Sequence, residues 1–468
     1  MNMIAMSRRR ALKLAGSGFG YVALAGLLDE WARAEVTHNP LAPKPPQFPA
    51  RAKRVIFLFM HGGPSHVDTF DPKPLLQRDA GKPLPTSMAV GGRVDPNAKL
   101  LPSPFEPKKN GQSGLEITEI FPEVSKLADD LCLIRSMHTN GQDHGQATLK
   151  LHTGSESQVR PSMGSWIIYG LGTENENLPG FLTISPSAMT GGAQNYGSAF
   201  LPAVFQGTPI GRSGTALTQA QIKHIQNGLL PMDLQRKQLD LVQDLNREQL
   251  KQAALDAQLE GVIESYELAF RMQSEVPKVT DLAGESAAML DMYGINQQPT
   301  DDFGRQCLLA RRFAEKGVRF IQVSHSFKWD QHQNLKRDHE RNAREVDKPI
   351  AGLLKDLKTR GLLKDTLVIW GGEFGRTATG QGSLDGRDHN PHAFTVWMAG
   401  GGVKGGYAHG ATDDYGSAAL TDKVHTHDLH ATILHLLGVN HENLTYRHAG
   451  RDYRLTDIHG NVVKAILA

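Results

Sequence analysis

Five short apolar runs constrain this chain more than anything else in it. "RVIFLFM" (54–60), "LCLIRSM" (131–137), "VRFIQVSH" (318–325), "DTLVI" (365–369) and "AFTVWMAGGG" (393–402) are apolar at nearly consecutive positions. A strand with one wet face alternates. Runs like these belong to strands covered on both faces, as in a mostly parallel sheet. The segments between them have helical period: "GRQCLLARRFAEKG" (304–317), "REVDKPIAGLLKDLKTRG" (344–361) and, after the last run, "HTHDLHATILHLLGV" (425–439). Alternation of this kind predicts an α/β fold, a mostly parallel sheet sandwiched by helices. In such sheets the loops beyond the carboxyl ends of the strands build the site. The polar clusters fall there repeatedly: His61, Asp143-His144, Asp330-Gln331-His332, Glu373 and His389.

The 468 residues suffice for one large α/β domain. A net charge of +2 with mixed signs gives no basic stripe, so no nucleic-acid partner is expected. Two cysteines, Cys132 and Cys307, sit in apolar contexts and read as buried free thiols, too few for a cysteine metal site. Residues 1–34 read as an export signal: Ser7, the pair Arg8 and Arg9, and Lys13 precede a modest apolar run that ends in "ARA" (Ala32–Ala34). These residues resemble a twin-arginine export signal, the alternatives being an ordinary Sec signal or a membrane anchor; the resemblance makes the twin-arginine export machinery a partner and a periplasmic or secreted location the expectation. The apolar run is shorter than the roughly 20 residues a membrane span needs, so no stable span is expected after cleavage. Residues 35–52 are a proline-rich tether, and residues 53–468 form the folded domain. Within that domain, residues from about 217 to 292 ("QRKQLDLVQDLNREQLKQAALDAQLEGVIESYELAFRMQ" at their centre) have helical period and no strand signal, and predict a helical insertion.

Three sets of residues carry the chemistry. "FKWDQHQN", "GGEFGRT" and "RDHNPH" follow one another in successive strand-end loops. Imidazole and carboxylate groups arriving from separate loops can converge on a divalent cation. Asp330, His332, Glu373 and His389 are the expected ligands, with His61 as a further ligand or a group behind them. Arg376 can stabilise an anion by paired hydrogen bonds, and His392 can reach the substrate. "HGGPSHVDTFDPKP" puts two glycines after a strand, where backbone amides can approach an anion. "NGQDHGQATLKLHTG" places Asp143 and His144 at a helix start; Asp143 there is either a catalytic neighbour of His144 or a helix cap.

These motifs resemble the alkaline phosphatase and sulfatase superfamily. "DKPIAGLLKDLKTRGLLKDTLVIWGGEFGRT", "AFTVWMAGGGVKGG" and "VHTHDLHATILHLLGV" are similar to its helix–strand–metal segment, its strand ending in "GVKGG" and its closing helix. More closely, "HGGPSHVDTFDPKP" with "WDQHQN" and "GEFGRT" resembles an exported, sulfatase-like bacterial family with a domain of unknown function. The resemblance implies an alkaline phosphatase-like fold. It puts His61 where the superfamily has a metal aspartate, His144 at the nucleophile, Asp330 and Asn334 at an Asp-x-x-x-His pair, Glu373-Phe374 at an Asp-His pair, and His389 at a retained metal histidine. "HGQAT" lacks the Cys/Ser-x-Pro-x-Arg that formylglycine requires.

Together these readings predict an exported, metal-dependent hydrolase of sulfate or phosphate esters acting without formylglycine. It would take an anionic ester substrate and use a divalent metal, Zn, Ca or Mg. His144 would act as nucleophile or as general base. The alternative is a non-catalytic exported binding or scaffold protein that keeps the fold. Phosphomutase-type transfer rests on fold analogy alone.

Overall fold

The computed structural model describes residues 39–85, 98–219, 230–252, 257–381 and 385–468. The predicted export signal lies outside them. Of the predicted tether, residues 39–52 contain no helix or strand, but they lie along the body: the Gln47 and Arg51 amides donate to Gly438 and Leu436 carbonyls, and Leu41 and Ala52 are buried.

The strands of the central sheet and of the hairpin beside the site are β1 (Arg54–Met60), β2 (Leu131–His138), β3 (Phe181–Ile184), β4 (Thr208–Ile210), β5 (Phe320–His325), β6 (Thr366–Gly371), β7 (Gly375–Gly380), β8 (Arg387–Asn390), β9 (Phe394–Ala399), β10 (Tyr407–His409) and β11 (Val424–His425); among the described residues three small two-stranded sheets lie outside them. Nine of them form the central sheet in the order β10-β2-β9-β6-β1-β5-β3-β4, with β11 also on β2. β7 and β8 pair with each other as a separate hairpin. Every pair in the sheet is parallel except those of β9, which runs antiparallel to both β2 and β6. All five predicted runs are strands of this sheet. β3, β4, β10 and β11 are too short to leave a run in the sequence.

Helices cover both faces: α1 (His144–Thr153), α2 (Met163–Leu171), α3 (Met232–Gln252), α4 (Ala257–Thr280), α5 (Asp301–Glu315), α6 (Leu335–Thr359) and α7 (Thr426–Leu436). Along β1, Val55, Phe57 and Phe59 point to one core with Trp166, Ile167, Ile433 and Leu434 of α2 and α7. Ile56, Leu58 and Met60 point to the other, with Leu308, Phe313, Ile350 and Leu354 of α5 and α6. The period of two is how one strand serves both cores. α3 and α4 occupy the span with no strand signal. Cys132 and Cys307 are buried free thiols, and burial pushes Cys132 up to about 12. Among the described residues no helix is long and apolar enough to cross a membrane.

Two buried histidines tie the fold to pH. His339 accepts the Ser65 amide proton through Nε2, and His430 Nε2 faces the Leu151 carbonyl; neither has exposed surface. Burial lowers His339 to about 4 and His430 to about 3. An unfolded imidazole titrates near 6.5, so below that pH the unfolded chain binds protons that these folded sites refuse. Their contribution is complete above pH 6.5 and is lost as pH falls toward the folded values. Urea melts are expected to show about 1 kcal/mol of stability lost per histidine between about pH 6.5 and 5.5, and His430→Phe is expected to reduce that slope.

Candidate metal centre

The loops at the carboxyl edge meet on one carboxylate oxygen. Asp330 comes from the loop after β5, and its Oδ1 lies 2.8 Å from His332 Nε2, 3.1 Å from His144 Nε2 and 3.4 Å from His389 Nε2. The His332 and His389 Nε2 atoms are 3.1 Å apart. These four side chains, each partly exposed, form a group whose donor atoms all lie within 4.8 Å of one another. Strand direction explains how His389 arrives. It precedes β9, and because β9 runs antiparallel its amino end lies at the same edge as the carboxyl ends of the other strands. The chain therefore leaves β6 and enters β9 on the side of the site.

The other nitrogen of each ring decides what the cluster offers. His144 Nδ1 faces Glu373 Oε1 at 2.6 Å, His389 Nδ1 faces the Gln142 carbonyl at 3.2 Å, and His332 Nδ1 bonds Gln381 Oε1. An oxygen acceptor takes the proton of a neutral imidazole, so each ring donates from Nδ1 and turns an Nε2 lone pair inward. Three lone pairs then face one carboxylate oxygen. His144 Nε2 is buried and makes no well-formed hydrogen bond there. Such an arrangement repels itself unless a cation, or protons, sit among the donors. Four donors at bond lengths of about 2.0–2.2 Å stand about 3.3–3.6 Å apart at tetrahedral corners, and the 2.8–3.4 Å separations among Asp330, His332, His144 and His389 lie at or a few tenths of an ångström below that spacing.

Electrostatics agree. Burial works to raise the Asp330 pKa, but His144, His332, His389 and the Arg376 guanidinium hold it well below the usual range. Burial works to lower His144, and the Asp330 and Glu373 carboxylates outweigh it, leaving it raised. The Asp330 hydrogen bond raises His332. Phe327 and Phe374 wall the rings: Phe327 sits edge-on to His61 and His144 at 4.7 and 4.9 Å, and Phe374 lies 4.8 Å from His144 and 4.6 Å from His389.

Several expected residues stand elsewhere than predicted. Glu373 is not among the converging donors. It is 1 % exposed, and both oxygens accept the Gly62 amide proton, at 3.0 and 3.1 Å, while Oε1 holds His144. The anion at the two glycines is thus the protein's own carboxylate. Gly62 has φ +115°, and a Cβ there would lie 2.7 Å from the backbone nitrogens of Trp329 and Asp330, so only glycine lets the Asp330 loop approach. Arg376 has no exposed surface, and its donors go to the Gly62, Gly63, Trp329 and Arg387 carbonyls and to Asp330 Oδ1 at 2.7 Å. It positions Asp330 and has no donor face left for a substrate anion. His61 is buried outside the donor group with Nε2 on Thr190 Oγ1, and burial lowers its pKa against the pull of Glu373. Asp143 caps α1 by accepting the Gln146 amide proton at 3.0 Å. His392 lies outside the donor group, half-buried, and burial lowers its pKa.

Sequence reasoning missed Gln381, the Gln142 carbonyl, Phe327 and Phe374. Both phenylalanines lie inside motifs already singled out, which was the available signal; a backbone acceptor leaves none. The Glu373–His144 contact yields a prediction. Glu373→Gln loses the charge that orients the imidazole while keeping its volume, and metal affinity is expected to fall about 10–100-fold, read by competition with a chromogenic chelator.

Residues 52–467 match the family described as "Protein of unknown function (DUF1501)". The chain belongs to that family. No curated protein matches its sequence. Solved structures similar to this DUF1501 member include the PsFucS1 sulfatase from Pseudoalteromonas sp., at 14% identity over 84% of this chain and 69% of that one, TM-score 0.35. Others are the lipoteichoic acid synthase LtaP from Listeria monocytogenes (9%, 90% and 80%, 0.35) and the alkaline phosphatase from the Antarctic bacterium TAB5 (9%, 84% and 99%, 0.35).

Proposed function

We propose that this chain is an exported, metal-dependent hydrolase of phosphate or sulfate esters, its cation held by His144, Asp330, His332 and His389. The observation that carries the reading is the set of three Nδ1-anchored imidazoles turning Nε2 lone pairs onto one carboxylate oxygen. Three imidazoles suit zinc or a neighbouring transition metal better than Ca or Mg, which prefer all-oxygen shells. A divalent cation there supplies charge to neutralise an ester's nonbridging oxygens and lowers the pKa of a bound water. The chain's own part is positional. Glu373 fixes the His144 tautomer, Arg376 fixes Asp330, and Phe327 and Phe374 keep water from the buried side, which strengthens every charge interaction within. Cys132 and Cys307 are both buried away from the site, and "HGQAT" contains no formylglycine precursor, so the reaction needs a nucleophile other than formylglycine.

One observation favours the non-catalytic alternative. Four protein donors saturate a tetrahedral ion, as in closed structural sites. Catalysis then requires a fifth position, and the partly exposed face of the cluster is where it would open.

The test is metal analysis of the purified mature protein, followed by turnover of aryl phosphates and aryl sulfates by wild type and His389→Ala. Bound transition metal with ester turnover that His389→Ala abolishes is expected. A metal-free, inert protein overturns the reading, and bound metal without turnover leaves the closed, non-catalytic form. Export is tested by Arg8→Lys with Arg9→Lys, which is expected to hold the precursor in the cytoplasm.

A further inference from the structure

Helix α3 of the insertion buries its polar face and exposes its apolar one. The positions it shelters are Gln235, Arg236, Leu239, Gln243 and Asn246, and Gln243 has no exposed surface. Gln243 Nε2 donates to the Ile263 carbonyl of α4 at 2.7 Å, and the Arg236 guanidinium donates to both Glu267 oxygens at 2.8 and 2.9 Å. Leu234, Leu241 and Leu245 lie on the opposite face and are 45, 62 and 64 % exposed. A surface helix that packs only on its own domain shows the reverse, with its apolar stripe turned to the core.

The exposure is concentrated. Of the eleven large apolar side chains exposed among the described residues, seven lie on α3 and α4, with Val242, Val262 and Tyr266 among them. The two helices run antiparallel, since Arg236 meets Glu267 and Gln243 meets Ile263. Val242 and Val262 each precede a contact residue, and in antiparallel helices that puts them on the same side of the pair. At their exposures the seven sum to roughly 500 Å² of surface, a size that marks a partner site. With a polar rim this approaches the ~800 Å² per partner of a specific protein interface.

Charge and spacing select the partner. A helix lying on an anionic membrane carries an excess of Lys and Arg on its polar face, whereas α3 has four acids and four bases. Leu234, Gln238, Leu241 and Leu245 follow one another at four, three and four residues, the spacing of a coiled-coil seam. Lys237 and Asp244, both exposed, stand at one edge of that seam a heptad apart. A second copy turned antiparallel about a two-fold axis beside residue 240 sets its Leu245 across from Leu234 and its Gln238 across from Leu241. The same turn sets its Asp244 across from Lys237, and two-fold symmetry makes each of these contacts twice. Gln238, the one polar residue of the seam, disfavours other registers. From this we infer that α3 pairs with α3 of a second copy of this chain, so that the protein is an antiparallel two-fold dimer joined through its helical insertion.

The experiment is sedimentation velocity of the intact mature protein over a range of concentrations. A dimer is expected. Leu241→Glu with Leu245→Glu places four carboxylates in the seam and is expected to weaken the dimer at least about 100-fold, with far-UV circular dichroism unchanged because both side chains face outward. Lys237→Glu alone and Asp244→Lys alone each set like charges opposite one another, and each is expected to weaken it about ten-fold. An equimolar mixture of these two single variants restores opposite charges at both edges, and is expected to form a heterodimer near wild-type affinity. A wild type that stays monomeric at high micromolar concentration overturns the inference. So does a dimer indifferent to the leucine substitutions, and so does a mixture that associates no more tightly than either single variant alone.

Discussion

Asp330→Asn is expected to strip the metal centre while leaving the fold in place. The substituted oxygen would still sit among His144, His332 and His389, at the 2.8–3.4 Å separations that Asp330 Oδ1 now has. What disappears is the one negative charge among the converging donors. Three neutral imidazoles and an amide oxygen leave a divalent cation uncompensated, and the loss in affinity is expected to exceed the roughly 100-fold that removing an outer partner of a ligand can cause. Arg376 loses its ionic partner at the same time, but four backbone carbonyls still hold its guanidinium. Far-UV circular dichroism should therefore match the wild type, while metal content after dialysis and ester turnover fall together. Retention of metal at wild-type affinity would place the cation elsewhere and dissolve the centre described here.

Why the sheet could be read from the sequence, and the shell of the site only in part, follows from what each depends on. A strand buried on both faces must be apolar almost throughout, so β1, β2, β5, β6 and β9 announce themselves locally. The direction of β9 does not. It shows only in the antiparallel pairing of β9 with β2 and β6, and it is what brings His389 to the same edge as Asp330. Membership of a strand-end loop is likewise local, and it selected Asp330, His332 and His389 together with His144. Whether a carboxylate ligates or stands behind a ligand depends on contacts far away in the chain. Glu373 is drawn inward by the Gly62 amide, which lies 311 positions away. Arg376 looked like a substrate clamp because burial is invisible in "GEFGRT"; once buried among carbonyls, it can only position. Asp143 offered two readings from the same residues, and the Gln146 amide takes up its side chain.

Arg387→Met is expected to cost about 3–5 kcal/mol of stability, a large part of the 5–15 kcal/mol that holds a typical domain together. Arg387 and Asp68 have no exposed surface and meet through two bonds, Nε to Oδ2 at 2.7 Å and Nη2 to Oδ1 at 3.2 Å. The same guanidinium donates to the Leu101, Thr377 and Ala378 carbonyls, and so joins the segment after β1 to the hairpin that carries His389. Removing it strands a buried carboxylate. In the wild type, burial tends to raise the Asp68 pKa, but Arg387 overrides that and the net shift is downward. A depressed acid contributes stability above its unfolded pKa and loses it as pH falls. In Arg387→Met only the burial and the weaker partners remain, the folded pKa rises above the unfolded value, and the sign reverses: the variant gains stability as pH falls toward the unfolded value and loses it as pH rises. Urea melts across the acid range, after subtraction of the wild-type profile, should show that inversion. Asp68→Asn added to Arg387→Met should remove it and recover part of the loss, because an amide carries no charge to strand. A double variant no more stable than Arg387→Met, with the slope unchanged, would mean that the carbonyl contacts of Arg387, and not its ion pair, hold the hairpin in place.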